Sequence, residues 1–284
     1  MLQIIPPTLS LAFLAVAFSI SSHLFNKTGA TSPSAEAPVG TVFIESFNKS
    51  GTLSEAGTIA ESASAYWWLD SAAKLTFANG VGATIQGDLP ADDPWHVAYK
   101  KNNPLDTENG AHPQNLFRLI SRSSWNNVRI TGEFAIRNNN QSMSPNRDPS
   151  NGILLMSRYS TDGQTLYYAG IRVDGDAVIK KKYHGTYYMM AEKELFSGLY
   201  DRDTNPSILP HGVWLSLQSE TITNKDGSVT VSLFMREKGT WKKILEAHDT
   251  GQYDNTPPLT DIAHIGIRTD FMDVQFRNFR IEEI

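Results

Sequence analysis

The 284-residue chain contains no cysteine. Disulfide frameworks, thiolate metal sites and cysteine nucleophiles are therefore excluded together. A chain of this size has room for a core that makes disulfides unnecessary. It also lacks a basic surplus: 25 lysines and arginines stand against 30 aspartates and glutamates, a net charge of −5. No overall basic field exists to recruit nucleic acid. Seven histidines are scattered without an H-E-x-x-H or comparable spacing, which excludes a catalytic zinc of that kind. There is no G-x-S-x-G, no phosphate-binding glycine loop and no G-x-G-x-x-G. No internal repeat is visible, so a propeller or solenoid is excluded.

What is present starts with an apolar run, Leu9 to Ile20, of the length of a signal-peptide core, with small residues at Ser19 and Ser21. No lysine or arginine precedes it, and Ile4 to Leu24 is long enough to span a bilayer if Pro6 and Pro7 are tolerated. A cleaved signal and an uncleaved anchor are both open for residues 1–25, and either places the rest outside the cytoplasm. Residues 26–40, rich in Ser, Thr, Ala, Pro and Gly, read as a flexible linker. Residues 41–284 read as one domain. Hydrophobic residues make up 40% of the chain and aromatics 10%, enough for a sizeable core.

That domain reads as short strands divided by turn signals. Val42–Phe47 alternates, and Asn79-Gly80 joins strands at Lys74–Ala78 and Ala83–Gln86. Leu116–Ser121 follows, then Val128–Arg137, in which Val128, Ile130, Phe134 and Ile136 face one way and Arg129, Thr131, Glu133 and Arg137 the other. Gly152–Arg158, Leu166–Val173 and Ala177–Tyr183 are joined by turns at Thr161–Thr165 and Asp174-Gly175-Asp176. Val213–Ile222, Val229–Arg236, Trp241–Ala247, Ile262–Arg268 and Val274–Ile281 complete the set. Tyr188–Leu199 is expected to form a short helix. Trp95–Pro113 and Asn138–Asn151 read as long loops, where a rigid β scaffold commonly meets its ligands.

The last seventy or so residues resemble the closing half of a concanavalin A-like (laminin-G-like) jelly roll. Trp214, the Asp226-Gly227 hairpin, Gly266 and the final strand Phe276-Arg277-Asn278-Phe279-Arg280-Ile281 carry the likeness. The opening Phe43–Phe47 strand fits the family's first strand, which lies beside the last. The resemblance implies an all-β, antiparallel two-sheet sandwich whose superfamily includes lectins, carbohydrate-binding modules, glycoside hydrolases and polysaccharide lyases, so fold alone does not give function. The laminarinase-like E-x-D-x-x-E string is absent. Tyr167-Tyr168-Ala169-Gly170 matches loosely one of three alginate-lyase strands, and the other two are missing, so no catalytic residue is carried over. The resemblance further implies one structural calcium between the first and last strands, with Glu45 and Asp273 as the matching carboxylates and backbone carbonyls supplying the rest.

The densest chemistry lies in Tyr167 to Tyr188. Strand parity places Tyr168 and Arg172 on one face, and Lys180, Lys182 and His184 on a face of the next strand, with Tyr183, Tyr187 and Tyr188 close by. Cations neutralise a uronate carboxylate, while tyrosines stack on sugar rings and move protons. For β-elimination the candidates are Tyr183, His184, Tyr187 and Arg172 as catalytic groups, with Gln114, Arg118, Arg158, Tyr168, Lys180 and Lys182 binding substrate. The plainer alternative is a solvated lysine face that blocks edge aggregation, with the tyrosines as packing. Hydrolysis would need paired carboxylates, for which Glu133 is the candidate. A non-catalytic glycan- or protein-binding module needs neither; Tyr66, Trp67, Trp68 and Trp95 are the candidate aromatic platforms, or else core. Asn26, Asn48 and Asn140 head N-x-S/T strings. The expected partner is an extracellular polysaccharide, preferably anionic, with membrane attachment through the N-terminal segment as an option.

Overall fold

A computed structural model describes residues 42–284. The expected leader, the linker, Thr41 and Asn26 lie outside the described residues. In chain order the strands are β1 (Val42–Glu45), β2 (Gly51–Ser54), β3 (Trp67–Ser71), β4 (Lys74–Ala78) and β5 (Val81–Ala83), followed by the helix α1 (Pro94–Asn102). Then come β6 (Leu116–Ser121), β7 (Val128–Asn139), β8 (Gly152–Tyr159), β9 (Leu166–Arg172), β10 (Asp176–Tyr183) and β11 (Thr186–Glu194). The chain closes with β12 (Leu215–Thr223), β13 (Val229–Glu237), β14 (Thr240–Asp249), β15 (His264–Asp270) and β16 (Met272–Glu283).

These strands form two antiparallel sheets, the two-sheet sandwich that the resemblance implies. The first runs β14-β13-β12-β7-β16-β5-β4-β2, with β1 also paired to β16. The second runs β11-β10-β9-β8-β15-β6-β3. The alternation expected in β7 holds: Val128, Ile130, Phe134 and Ile136 are buried between the sheets, and Arg129, Glu133 and Arg137 point outward. Each large side chain buried here contributes roughly 1.5–3 kcal/mol. Phe117, Phe134, Phe276 and Phe279 are among the largest of them. The first strand pairs beside the last, as the resemblance implies, with Phe43 opposite Ile281.

The core also encloses one ion pair. Lys181 of β10 meets Asp249 of β14 at 2.7 Å, both fully buried, and Lys181 also donates to the carbonyls of Thr256 and Pro257. Tyr167 donates to the same carboxylate. Every polar atom of this group has a partner, the condition under which a buried charge is tolerated.

Three elements differ from expectation. The strand expected at Ala83–Gln86 is β5 at Val81–Ala83, directly after the Asn79-Gly80 turn. Tyr188–Leu199 is not a helix: β11 occupies Thr186–Glu194 and forms a hairpin with β10. The turn His184-Gly185, both residues at positive φ, sets up that pairing, and cross-strand contacts override local helical preference. The stretch Trp95–Pro113 contains α1, which Asp93 caps by accepting the Trp95 amide at 2.8 Å with Pro94 in the first position. Tyr99 of α1 packs with Ala73, Ile85 and Leu89 as a small satellite core beside β3. Among the described residues no helix is long and apolar enough to cross a membrane.

Candidate functional site

The outer face of the second sheet gathers Arg118, Lys180, Lys182 and Arg268 and is the candidate site, a trough in shape. Register fixes who sits beside whom. Lys180 lies opposite Tyr168 on β9 and opposite Met189 on β11, while Lys182 lies opposite Tyr187. Further across, Arg268 of β15 lies directly opposite Arg118 of β6. Three strands separate β15 from β11, so in a flat sheet the two backbones would stand roughly 19 Å apart. Yet Arg268 reaches the Tyr187 hydroxyl at 3.5 Å and that of Tyr168 at 3.2 Å. The sheet must curl to bring them together, which makes this face concave.

At the centre, the rings of Tyr168 and Tyr187 stack at 6.1 Å between centroids, 21° from parallel. Tyr168 is 3% exposed and Tyr187 51%, so Tyr187 presents its phenol to solvent and Tyr168 supports it from below. Burial pushes the Tyr168 hydroxyl up, and neighbouring Tyr187 adds to the rise against Arg268. Tyr187 goes the other way. Partial burial opposes its ionisation, but Arg268, then Lys182, and the hydrogen bonds from Arg268 and Tyr168 outweigh it, so its phenol sits below the ordinary value. The Lys182 ammonium lies 5.1 Å from the Tyr187 ring centre and donates to the Gly163 carbonyl at 2.9 Å.

The charges of the trough are unevenly matched. Arg268 is held by Asp270 at 2.9 Å, and Arg118 by Asp70 at 2.8 Å, with Tyr159 also donating to Asp70. A bulge in β3 between Leu69 and Ser71 brings both Asp70 and Ser71 to Arg118. Lys180 and Lys182 form no ion pair among the described residues. Burial first, and then repulsion from Arg172 and Arg268, hold Lys180 below the ordinary lysine range. Lys182 is lowered too, chiefly by burial. The outer face of the first sheet provides the contrast. There Arg277 lies opposite Glu133 and bonds it at 2.8 Å, and Arg129 lies opposite Glu220 and bonds it at 2.7 Å. One face zips opposite charges; the other sets like charges side by side, an arrangement that destabilises a sheet.

At the β3 end, Glu55 belongs to the segment that covers the free edge of that strand, through Glu55 N to Ala73 O and Ala56 N to Leu69 O. Its carboxylate accepts from the Ala73 amide and from the Tyr99 hydroxyl. Burial, the largest effect, and nearby Asp70 push it up to about 7, against those two hydrogen bonds and Arg118. Ala56 and Ile59 roof an apolar cluster that includes Trp68, Ile120, Leu154, Met156 and Tyr168, while Glu55, Asp70 and Arg118 stay partly exposed.

The trough thus unites Arg118, Tyr168, Lys180, Lys182 and Tyr187 of the expected site residues. The others lie elsewhere. His184 sits exposed at the hairpin tip with φ of 47°, its ring against Tyr183, because the turn interrupts the parity that would place it beside Lys182. Tyr183 has the parity of Lys181 and packs against the inner core. Arg172 is occupied by Asp174, Asp176 and Glu192 at the rim. Arg158 is buried and donates to the Asp261 carbonyl and the Thr223 hydroxyl, where it anchors loops. Gln114 is buried in a short helical turn, not on a strand, and donates to Gly87 O and Asp273. Glu133 is on the opposite face of the molecule, paired with Arg277. Trp67 is inner core, Trp68 belongs to the roofed cluster, Trp95 packs near Tyr99 and Tyr66 is half exposed beside Phe43. Asn140 is buried, and its side-chain amide donates to Asn115 and Asp273.

Glu45 and Asp273 lie too far apart to hold one calcium ion between them. Glu45 lies opposite Phe279, six residues along β16 from Asp273, a separation of roughly 20 Å. Each carboxylate is also bonded to N–H donors: Glu45 to the Phe47 amide and the Trp67 indole, Asp273 to the Gly87 amide and the side-chain amides of Gln114 and Asn140. Among the described residues no three His, Asp or Glu side chains gather as a metal would require.

Sequence reading missed Arg268, Asp70, Asp270, Tyr159 and Glu55. For Arg268 a signal existed: the R-x-D spacing of Arg268 and Asp270 puts both on one face of a strand. Asp70 and Glu55 had none, because a bulge and a strand-edge crossing decide where they point.

No protein-family model matches the chain, and no curated protein does. Among solved structures, a carbohydrate-binding module from Bacillus subtilis is similar at 12% identity, covering 76% of this chain and 95% of that one, with a TM-score of 0.43. A β-1,3-1,4-glucanase (lichenase) from a mouse hindgut metagenome is similar at 9% identity, covering 86% and 99%, with a TM-score of 0.45. A Bacillus licheniformis β-glucanase is similar at 10% identity, covering 87% and 100%, with a TM-score of 0.44. The fold is an antiparallel two-sheet β-sandwich, and none of these likenesses identifies a family.

Proposed function

We propose that the trough binds an acidic polysaccharide and that Tyr187 cleaves it by β-elimination. The observation that carries this reading is the group Tyr187, Arg268, Lys182 and Lys180: a solvent-facing phenol made more acidic by adjacent cations, beside a lysine that forms no ion pair among the described residues. A uronate carboxylate seated on Lys180 and Arg268 would relieve their repulsion and acidify the proton on the neighbouring ring carbon C5. The Tyr187 phenolate takes that proton, the C5–H electron pair forms the C4–C5 double bond, and the C4–O bond breaks. The departing oxygen is protonated from Tyr187, directly or through Tyr168, so the proton count closes. An extracellular location, expected from Leu9 to Ile20, suits such a polymer.

The test is the ultraviolet absorbance of the new double bond when residues 40–284 are incubated with a panel of acidic and neutral polysaccharides. The reading expects a rise with an acidic polymer and its loss in Tyr187→Phe. An unchanged rate in that variant would remove Tyr187 from the chemistry.

Hydrolysis has one observation of its own, Glu55 protonated near neutrality beside Asp70. A raised carboxylic acid next to a second carboxylate is the pairing glycosidases use. Reducing ends released without absorbance, and lost in Glu55→Gln, would favour it.

A further inference from the structure

Building on that reading, we infer that the ligand is an acidic heteropolysaccharide, with an acidic unit over Lys180, Lys182 and Arg268 and an uncharged unit over Asp70 and Glu55. A homopolymer of uronate does not fit the trough as well. Charge along the trough changes character from one end to the other. On β10, Lys180 and Lys182 form no ion pair among the described residues, while Asp176 of β10 and Glu192 of β11 are taken up by Arg172. At β6 and β3 the cation Arg118 already holds Asp70 at 2.8 Å, and Glu55 is close to both. Arg268, midway, is matched by Asp270, which is buried beneath the surface.

The two ends lie on different strands, four strand steps apart along the sheet, although its curl brings Arg118 near enough to act on Lys182. A chain lying across the strands sets successive sugar rings on the two ends, so they meet neighbouring units of one ligand. Asp70 and Glu55 are acceptors when ionised and suit sugar hydroxyls, each of which donates. A second uronate at that end would set its carboxylate against Asp70. Discrimination would then come from repulsion of the wrong polymer as much as from attraction of the right one.

The experiment measures binding of residues 40–284 to a homopolyuronate and to an alternating polymer of uronate and N-acetylhexosamine, at one ionic strength, for the native chain and for Asp70→Asn. The native chain is expected to prefer the alternating polymer by about threefold or more, the scale of one partly exposed charge contact. Asp70→Asn, nearly isosteric, is expected to narrow the gap by strengthening homopolyuronate binding. Equal or tighter native binding of the homopolyuronate would overturn the inference, as would a gap that Asp70→Asn leaves untouched. These outcomes leave acidic-polymer binding itself intact. If neither polymer binds, the underlying reading of the trough falls, and this inference with it. Circular dichroism and thermal melting of Asp70→Asn separate a loss of fold from either result.

Discussion

Lys180 is held where a lysine is least comfortable, half buried and repelled by Arg172 and Arg268. Removing that charge should help the fold and harm the site. Lys180→Met is expected to raise unfolding free energy by a few tenths to about 1 kcal/mol, measured by chemical denaturation, while weakening acidic-polymer binding. A loss on both counts would mean that Lys180 is a structural residue. Tyr187→Phe is expected to keep binding within a few-fold while abolishing double-bond formation, a kcat effect without a matching change in affinity. Individual site residues were partly legible in the sequence. Parity along β9 and β10 suffices for Tyr168, Lys180 and Lys182, whose neighbours are one strand away. It fails for His184, where a turn ends the strand. It cannot foresee that Arg172 is taken up by three carboxylates, nor that Arg268, some eighty residues further on, curls over to Tyr187.

Among the elements, the β10–β11 hairpin carries Lys180, Lys182 and Tyr187 at the edge of its sheet, and Lys181 anchors it from the opposite side. Lys181→Met leaves Asp249 buried with its cation gone, which is expected to cost about 3–5 kcal/mol. The double variant Lys181→Met, Asp249→Leu should recover much of that loss, because it removes both charges. If the single variant is as stable as the native chain, the pair does not hold the sheets together. Alternation made strands such as Val128–Arg137 readable, to within two residues of the end of β7. Tyr188–Leu199 was misread because its local preferences are weak and pairing with β10 decides its conformation. The helix α1, with little apolar periodicity of its own, is held by its Asp93 cap and by Tyr99 packing.

At the scale of the whole molecule, Glu55 ties stability to pH. Its folded pKa of about 7 lies above the ordinary 4.5, so the folded state binds the proton more tightly than the unfolded state. Stability should fall as pH rises through the window from about 4.5 to 7, by up to roughly 2–3 kcal/mol. Glu55→Gln, compared with the native chain across that window, should show a flatter profile; parallel profiles would contradict the shift. The sandwich was legible because its two-residue period repeats along most of the chain. The trough was only half legible, because concavity is a property of the assembled sheet. The most direct measurement is the affinity of the native chain and of Lys180→Met, Lys182→Met for an acidic polysaccharide, titrated over a range of salt. The account predicts binding that weakens with salt and a loss of about tenfold or more in the double variant. Binding that ignores both salt and the two lysines would contradict it.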